Sequence, residues 1–397
     1  MIKKIITKLT YILIIIYPIG LLLRFKFISN VYVVPQDIIV ALISLLTFIY
    51  IIKIKHASIS VFVKLQIIFI VFGVLSLVVN YILHPDIKFL QSILYPLRYL
   101  LYVTLLFAPI EKSSKEGLKK FLYISGLVIL LMGYWQFFFY YDLYKLFYLG
   151  WDNHLYRMFS TFLDPNYAGV FFVLYFFLLF EKIKSNTFVN IYKDIIISFL
   201  CLIAIYLTFS RTALFALVAG AISYAIFYRK LKALILVLFI MFIFLLIISD
   251  THVEGLNPFR TASTNSRVNS IKESLSIFKT SPLIGVGFNS YRYAQVRMGY
   301  RNERGASWSN ADAGTDNSFL FILAITGIMG FFIYLLSLLN FAKGLLTYGR
   351  TNFMLFASFC SLLIASLFIN VLFYTPILTI WFLMINLFQV KKVKVDK

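Results

Sequence analysis

The chain has 397 residues, of which 61% are hydrophobic and 13% charged. That apolar excess excludes an ordinary soluble domain, where roughly half the residues are apolar. The formal net charge of +21 fits basic residues held in cytoplasmic loops to set topology better than a nucleic-acid surface, so no nucleic-acid partner is expected.

Residues 1–8 are basic and lead into an apolar run, as in a signal sequence. No Ala-x-Ala-type cleavage site follows and another run comes soon after, so the segment reads as an uncleaved first helix. Apolar runs recur at 9–23, 37–52, 64–83, 91–109, 120–141, 166–180, 194–209, 212–228, 233–249, 317–341, 353–370 and 373–389. Each is near the ~20 residues that carry a helix across ~30 Å of hydrocarbon. In lipid, backbone groups must be satisfied internally, and the short alternating segments of a barrel are absent. The predicted fold class is therefore all-α, a polytopic membrane protein of about twelve transmembrane helices, read as one integral domain over 1–397. An even number of spans puts both termini on one side. Lys3, Lys4, Lys8 and the tail 391-KKVKVDK-397 assign that side to the cytoplasm. Cys201 and Cys360 fall within apolar runs and imply no disulfide framework.

The type of basic residue separates the two sides. Among basic residues of the inner segments only Arg229 and Arg350 are arginine. The outer segments and outer helix ends hold Arg24, Arg98, Arg157, Arg211, Arg260, Arg267, Arg292, Arg297, Arg301 and Arg304. Topology needs only charge, for which lysine suffices, whereas arginine's planar fork binds phosphate and carboxylate bidentately. The partition points to an outward-facing anion site, with contact to anionic lipid headgroups as the plainer alternative.

Along the chain, the first outer loop of interest carries 150-GWDNHLYRM-158. Trp151 and Tyr156 there suit either sugar rings or an interfacial aromatic belt. The segment 160-STFLDPNYAG-169 follows, with Asp164 placed to cap a helix, Pro165 at its first position and Asn166 in its first turn. Such a polar helix start also binds anions. In 209-FSRTALFA-216 two spans join with almost no loop, which holds Arg211 at the membrane boundary, where an ionisable residue is a functional candidate.

The segment 250–315 is far longer than any other connection and reads as a functional outer loop containing short helices. Within it, 266-SRVNSIKESLSIF-278 puts Val268, Ile271, Leu275 and Phe278 on one helical face. Ser266 or Asn265 would cap that helix, Pro282 would end it, and 285-GVGF-288 would turn the chain. An amphipathic helix lying on the membrane or over a cavity mouth is expected. Then 315-TDNSFLFILAITGIMGF-331 opens the tenth run, with Thr315 or Asp316 as its cap and Gly327 and Gly330 suited to close helix packing. An acid at this point is also where a general base would be needed. His56, His84, His154 and His252 lack metal-ligand spacing. No zinc pattern, P-loop, dinucleotide fingerprint or nucleophile elbow is present, so neither metal nor cofactor is expected.

These motifs, in this order over about residues 155–345, resemble the O-antigen polymerase and O-antigen ligase superfamily (Wzy/WaaL). The DPN at the sixth span, the SRT at a tight junction, the SR helix, 281-SPLIGVGFNSY-291 and a polar pair before a G-x-x-G helix carry the resemblance. It implies metal-independent, inverting transfer of a glycan from undecaprenyl pyrophosphate at the outer face of the bacterial inner membrane. By motif, Arg211 and Arg267, then Arg292, hold the pyrophosphate. In the ligases the polar pair is typically His-Asn; here it is Asp316-Asn317, a departure that favours a repeat-unit polymerase for capsule, exopolysaccharide or O-antigen. Asp316 is then the expected base, with Asn317 positioning it, Arg211 stabilising the leaving charge, and Arg157, Asp164 and Asn166 completing the substrate site. Expected partners are lipid-linked oligosaccharides as donor and acceptor, membrane lipids and a chain-length regulator. The rival readings are a ligase acting on lipid A core or protein, a lipid-linked glycan flippase, and a scaffold of an export complex.

Overall fold

A computed structural model describes residues 1–28, 31–54, 59–144, 154–185, 188–228, 262–302, 314–347 and 352–389. Its helices, in chain order, are α1 (Ile2–Ile16), α2 (Pro35–Ile54), α3 (Val61–Leu83), α4 (Phe89–Val103), α5 (Lys115–Phe139), α6 (Pro165–Ser185), α7 (Phe188–Leu207), α8 (Arg211–Tyr228), α9 (Ala262–Thr280), α10 (Tyr291–Arg297), α11 (Ser318–Thr347), α12 (Phe353–Ala365) and α13 (Thr375–Phe388). Every predicted apolar run overlaps one of these, except 233–249, which lies outside the described residues, as do the tail 391–397, Trp151, Arg260 and Arg304. Helices α9 and α10 are the short helices expected within 250–315.

Among the described residues, six helical segments are long and apolar enough to cross a membrane: Pro35–Ile54, Val61–Leu83, Phe89–Leu106, Lys112–Phe139, Pro165–Lys184 and Ser318–Thr347. Arg211–Ile226, Phe353–Ala365 and Thr375–Phe388 are shorter apolar helices. The chain is an all-α membrane protein apart from one addition that periodicity did not signal. Helix α1 stops at Ile16, just before Pro18, and the chain then forms a small antiparallel hairpin, β1 (Phe25–Ile28) and β2 (Val31–Val33), with Phe25 opposite Val33. Proline lacks the N–H that a continuing helix needs.

Helices that are apolar all round belong at the centre of such a bundle. Nearly all of α13 is buried from Pro376 to Leu387, as is α6 from Ala168 to Leu174. Helices α2, α3 and α11 instead expose apolar faces, among them Leu45, Leu75 and Leu339. Where helices approach closely the contact residues are small, the usual device in membranes. On α8, Ala213 and Ala216 are buried, and a Cβ at Gly220 would stand 2.2 Å from the Phe177 ring. Ser361 of α12 donates to the Ala216 carbonyl of α8 at 2.7 Å.

Helix α11 corrects the expectation that Gly327 serves helix–helix packing, whereas a Cβ at Gly330 would stand 3.1 Å from Phe72 of α3. Helix α11 is broken at Gly327, which has φ 62° and ψ −169°. The break leaves backbone groups without helical partners, and the segment after α9 supplies them. Val286 N–H donates to Ala324 O at 2.9 Å and Gly287 N–H to Ile325 O at 3.1 Å. Ile328 N–H donates to Pro282 O at 2.9 Å and Met329 N–H to Leu283 O at 3.4 Å. Helix α3 clamps the joint: Ser76 donates to Ile284 O at 2.5 Å and Asn80 to Gly285 O at 2.9 Å. Thus 281–287 does not merely turn the chain; it docks on the broken helix.

Candidate active site

The site is built where α6, α8, α11 and α13 begin. Four helix N-termini at one end of the bundle concentrate unsatisfied N–H groups and positive potential there.

Helix α6 starts as the sequence indicates. Asp164 Oδ1 accepts from Asn166 N–H at 2.7 Å and Tyr167 N–H at 3.3 Å. Leu163, with φ 56°, turns the preceding short 3₁₀ turn into that start. The other carboxylate oxygen lies 3.8 Å from His154 Nε2. Sequence spacing gave no hint of His154, because the contact depends on the chain folding back.

The tight junction between α7 and α8 is Thr208-Phe209-Ser210, and Phe209 sits at φ 47°. A non-glycine residue in that region is strained. Arg157 holds it. Its Nε donates to Thr208 O at 2.9 Å, and its Nη2 to Phe209 O at 3.3 Å and to Asn166 Oδ1 at 3.5 Å. Arg157 is 5% exposed, so it braces the junction from within. Ser210 caps α8, accepting from Ala213 N–H at 3.3 Å while donating to Asn166 at 2.9 Å. The DPN and SRT motifs are thereby joined through Asn166, and Arg211 stands half-buried at the first position of α8.

Helix α9 delivers Arg267. Its Nη2 donates to Thr212 Oγ1 at 3.3 Å, and its guanidinium lies 5.8 Å from the Phe368 ring centre. Burial lowers the Arg267 pKa from its ordinary value, and nearby Arg211 lowers it further. Asp316 and Asp164 act in the opposite sense. Two guanidiniums and two carboxylates therefore share one electrostatic site. The apolar stripe of α9 faces away from it: Val268, Ile271 and Leu275 are exposed, while Ser274 and Ile277 are buried.

At the start of α11 the cap is neither Thr315 nor Asp316. Asn317 Oδ1 accepts from Phe319 N–H at 2.9 Å and Leu320 N–H at 3.0 Å, and its Nδ2 donates to Leu367 O at 3.0 Å. Capping thus explains Asn317 and leaves Asp316 to be explained otherwise. Asp316 is exposed, and its backbone N–H is held by Ser270 of α9 at 3.2 Å. Thr315 also meets Ser270, at 2.9 Å.

Two tyrosines complete the centre. Tyr167 and Tyr374 stack with ring centres 3.8 Å apart, and Asp164 and Asp316 are both within electrostatic reach of Tyr167. Neither ring was singled out by sequence, although Tyr167 follows DPN directly. Arg292 is half-buried on α10, beside Tyr293, on which both Arg292 and Asp86 act. Its neighbours Arg297 and Arg301 pair with Asp86 at 2.9 Å and Glu273 at 3.7 Å. Arg98 pairs with Asp37 at 3.2 Å.

The family model described as O-antigen ligase matches residues 196–335. Over that stretch the match supports likeness to the Wzy/WaaL superfamily. No curated protein matches it. The Wzy/WaaL-like segment runs from α7 into α11 and contains Arg211, Arg267 and Asp316. Asp164, Asn166, Tyr167, Tyr374 and Arg157 reach the site from outside it. The match supports ligase- or polymerase-type function in general, a glycosyltransferase-like membrane enzyme, and lipid-linked oligosaccharides as the substrate class.

Proposed function

We propose that the protein is a polysaccharide repeat-unit polymerase of the bacterial inner membrane, with both termini cytoplasmic and this site on the outer face. The donor is a glycan on undecaprenyl pyrophosphate. The acceptor is a sugar hydroxyl of a second lipid-linked repeat unit. The observation that carries the reading is the convergence of Arg211, Arg267 and Asp316 at one site, with α11 capped by Asn317 instead of Asp316.

The transfer needs no metal. The acceptor oxygen attacks the anomeric carbon from the face opposite the leaving group, with inversion. The anomeric C–O bond breaks and its electron pair leaves with the pyrophosphate. The acceptor hydroxyl proton passes to the Asp316 carboxylate, a general base suited to this task. The developing negative charge is met by Arg211 and Arg267, whose fixed donors are worth most in a partly dehydrated site. Asp164, Asn166 and Arg157 shape that clamp by holding the starts of α6 and α8. Arg292 serves substrate from α10.

The centre of the bundle favours an enzyme over a flippase. Between α3, α4, α11 and α13, Phe69, Tyr99, Phe288, Phe373 and Tyr334 form a continuous ring cluster. Its polar members are neutral: Gln66 donates to Ser337 and accepts from Tyr99, both at 2.7 Å. Transport sites characteristically place charged groups near mid-membrane around a path, and the break in α11 at Gly327 is closed by backbone bonds from 281–287.

An Arg211→Ala strain should make no polymer while the protein remains inserted at its normal level. Wild-type chain lengths on a gel would refute the clamp. A strain lacking the protein should yield single repeat units on lipid A core. Accumulation of long lipid-linked polymer would instead identify a ligase.

A further inference from the structure

A transfer between two lipid-linked glycans brings two diphosphates to one protein, and Arg211 with Arg267 accounts for one. A third cation of this end, Arg24, neighbours one member of the tyrosine stack. Arg24 follows α1 and precedes the β-hairpin. Its guanidinium sits over the Tyr32 ring of β2 at 4.8 Å, and it interacts electrostatically with both Tyr32 and Tyr374. Tyr374 is the residue stacked on Tyr167, and Asp164 acts on Tyr374 as well. Arg24 therefore neighbours Tyr374, and Asp164 neighbours both Tyr374 and Arg267.

Tyr374 is fixed by its surroundings. Its hydroxyl donates to Phe162 O at 3.2 Å, and two residues on, Pro376 O accepts from Tyr17 at 2.9 Å. The second bond ties the end of α1, and with it the approach to Arg24, to the start of α13. The hairpin is anchored too: Arg98 donates to Tyr32 O at 2.5 Å while pairing with Asp37. Arg24 holds its planar fork over an aromatic ring, an arrangement arginine uses for phosphate recognition. Burial lowers the Arg24 pKa, and the two tyrosines oppose that shift.

We propose that Arg24, with Tyr32 and Tyr374, forms a second anion subsite that holds the diphosphate of the acceptor lipid. This rests on the polymerase reading. The same subsite chemistry would also accept the headgroup of a bulk anionic phospholipid, and the test separates the two.

The full chain, purified into phosphatidylcholine nanodiscs, is titrated with undecaprenyl diphosphate and the bound molecules are counted by native mass spectrometry. Wild type should bind two per chain, R24Q one, R211Q one, and the double variant none. R24K should keep the second molecule with weakened occupancy, which separates charge from misfolding. Two molecules on R24Q, or one on wild type, would overturn the second subsite. Loss of one molecule when the nanodiscs contain phosphatidylglycerol, with R24Q unaffected by that lipid, would assign Arg24 to bulk lipid and also overturn it. Wild type binding none would refute the polymerase reading itself, an outcome distinct from the others.

Discussion

Asp316 and Asn317 are adjacent and polar, yet the structure gives them different work. Asn317 closes the first turn of α11 through two N–H groups; losing such a cap typically costs about 1 kcal/mol. Asn317→Ala should therefore lower the melting temperature of the purified protein by a few degrees and leave substantial polymer. Asp316→Asn should leave melting unchanged and abolish polymer, because the amide cannot take the acceptor proton. Polymer at wild-type level from Asp316→Asn would reduce Asp316 to a structural residue. Sequence flagged both residues and the order of the motifs, but gave the cap to the wrong ones. One-residue register at a helix start is set by tertiary bonds, here from Asn317 Nδ2 to Leu367 O and from the Asp316 N–H to Ser270 Oγ. Arg157 shows the same limit. Its outer position was legible, but its burial against the carbonyls of Thr208 and Phe209 was not. Arg157→Lys should not rescue Arg157→Ala, since an ammonium cannot span both carbonyls in one plane. Each buried carbonyl left unsatisfied costs roughly 1–3 kcal/mol, read as reduced membrane-inserted protein and a lowered melting temperature.

At the level of elements, the apolar runs locate the helices because lipid imposes a length and a composition that few other structures share. The hairpin after α1 escaped because its strands are only a few residues long and carry no helical period. The α9 stripe was found at the right residues, and its direction was the open question. Val268, Ile271 and Leu275 point outward, so the serine face packs on the site and the apolar face suits the membrane surface. Gly327 was read as a packing glycine because G-x-x-G on an apolar helix usually is one. Its real partner is a loop distant in sequence, which no local pattern reveals. A Cβ at Gly327 would lie 2.4 Å from the Leu283 backbone, and φ 62° is already strained for any side chain. Gly327→Ala should separate the loop from α11 and abolish both polymer and stable insertion, measured by membrane fractionation.

For the whole molecule, four helix starts, three arginines (Arg211, Arg267 and Arg24) and a tyrosine stack form one polar end above an aromatic centre. The bundle was legible from composition, and the arginine–lysine partition indicated which residues to assemble. Bringing DPN, SRT and the α9 arginine together depended on Asn166, Ser210 and Thr212, whose bonds are individually ordinary. The sidedness has a direct check. Asp316→Cys in a background with Cys201 and Cys360 replaced by alanine should react with a membrane-impermeant maleimide added outside intact spheroplasts. Labelling only in inverted vesicles would reverse the topology and remove the site from the face where lipid-linked glycans are presented.

The joint between 281–287 and α11 bears on how the protein is made. Until the loop arrives, Ala324, Ile325, Ile328 and Met329 expose backbone groups that hydrocarbon cannot satisfy, at several kcal/mol for each. Helix α11 is thus an incomplete client for the insertion machinery when it emerges, although its composition alone would pass. It must either be held at a wet protein surface or enter together with the preceding segment and α3, whose Ser76 and Asn80 close the joint. The unit handed to the membrane at this stage is then a three-part assembly, and a chaperone or translocon that released α11 early would strand it.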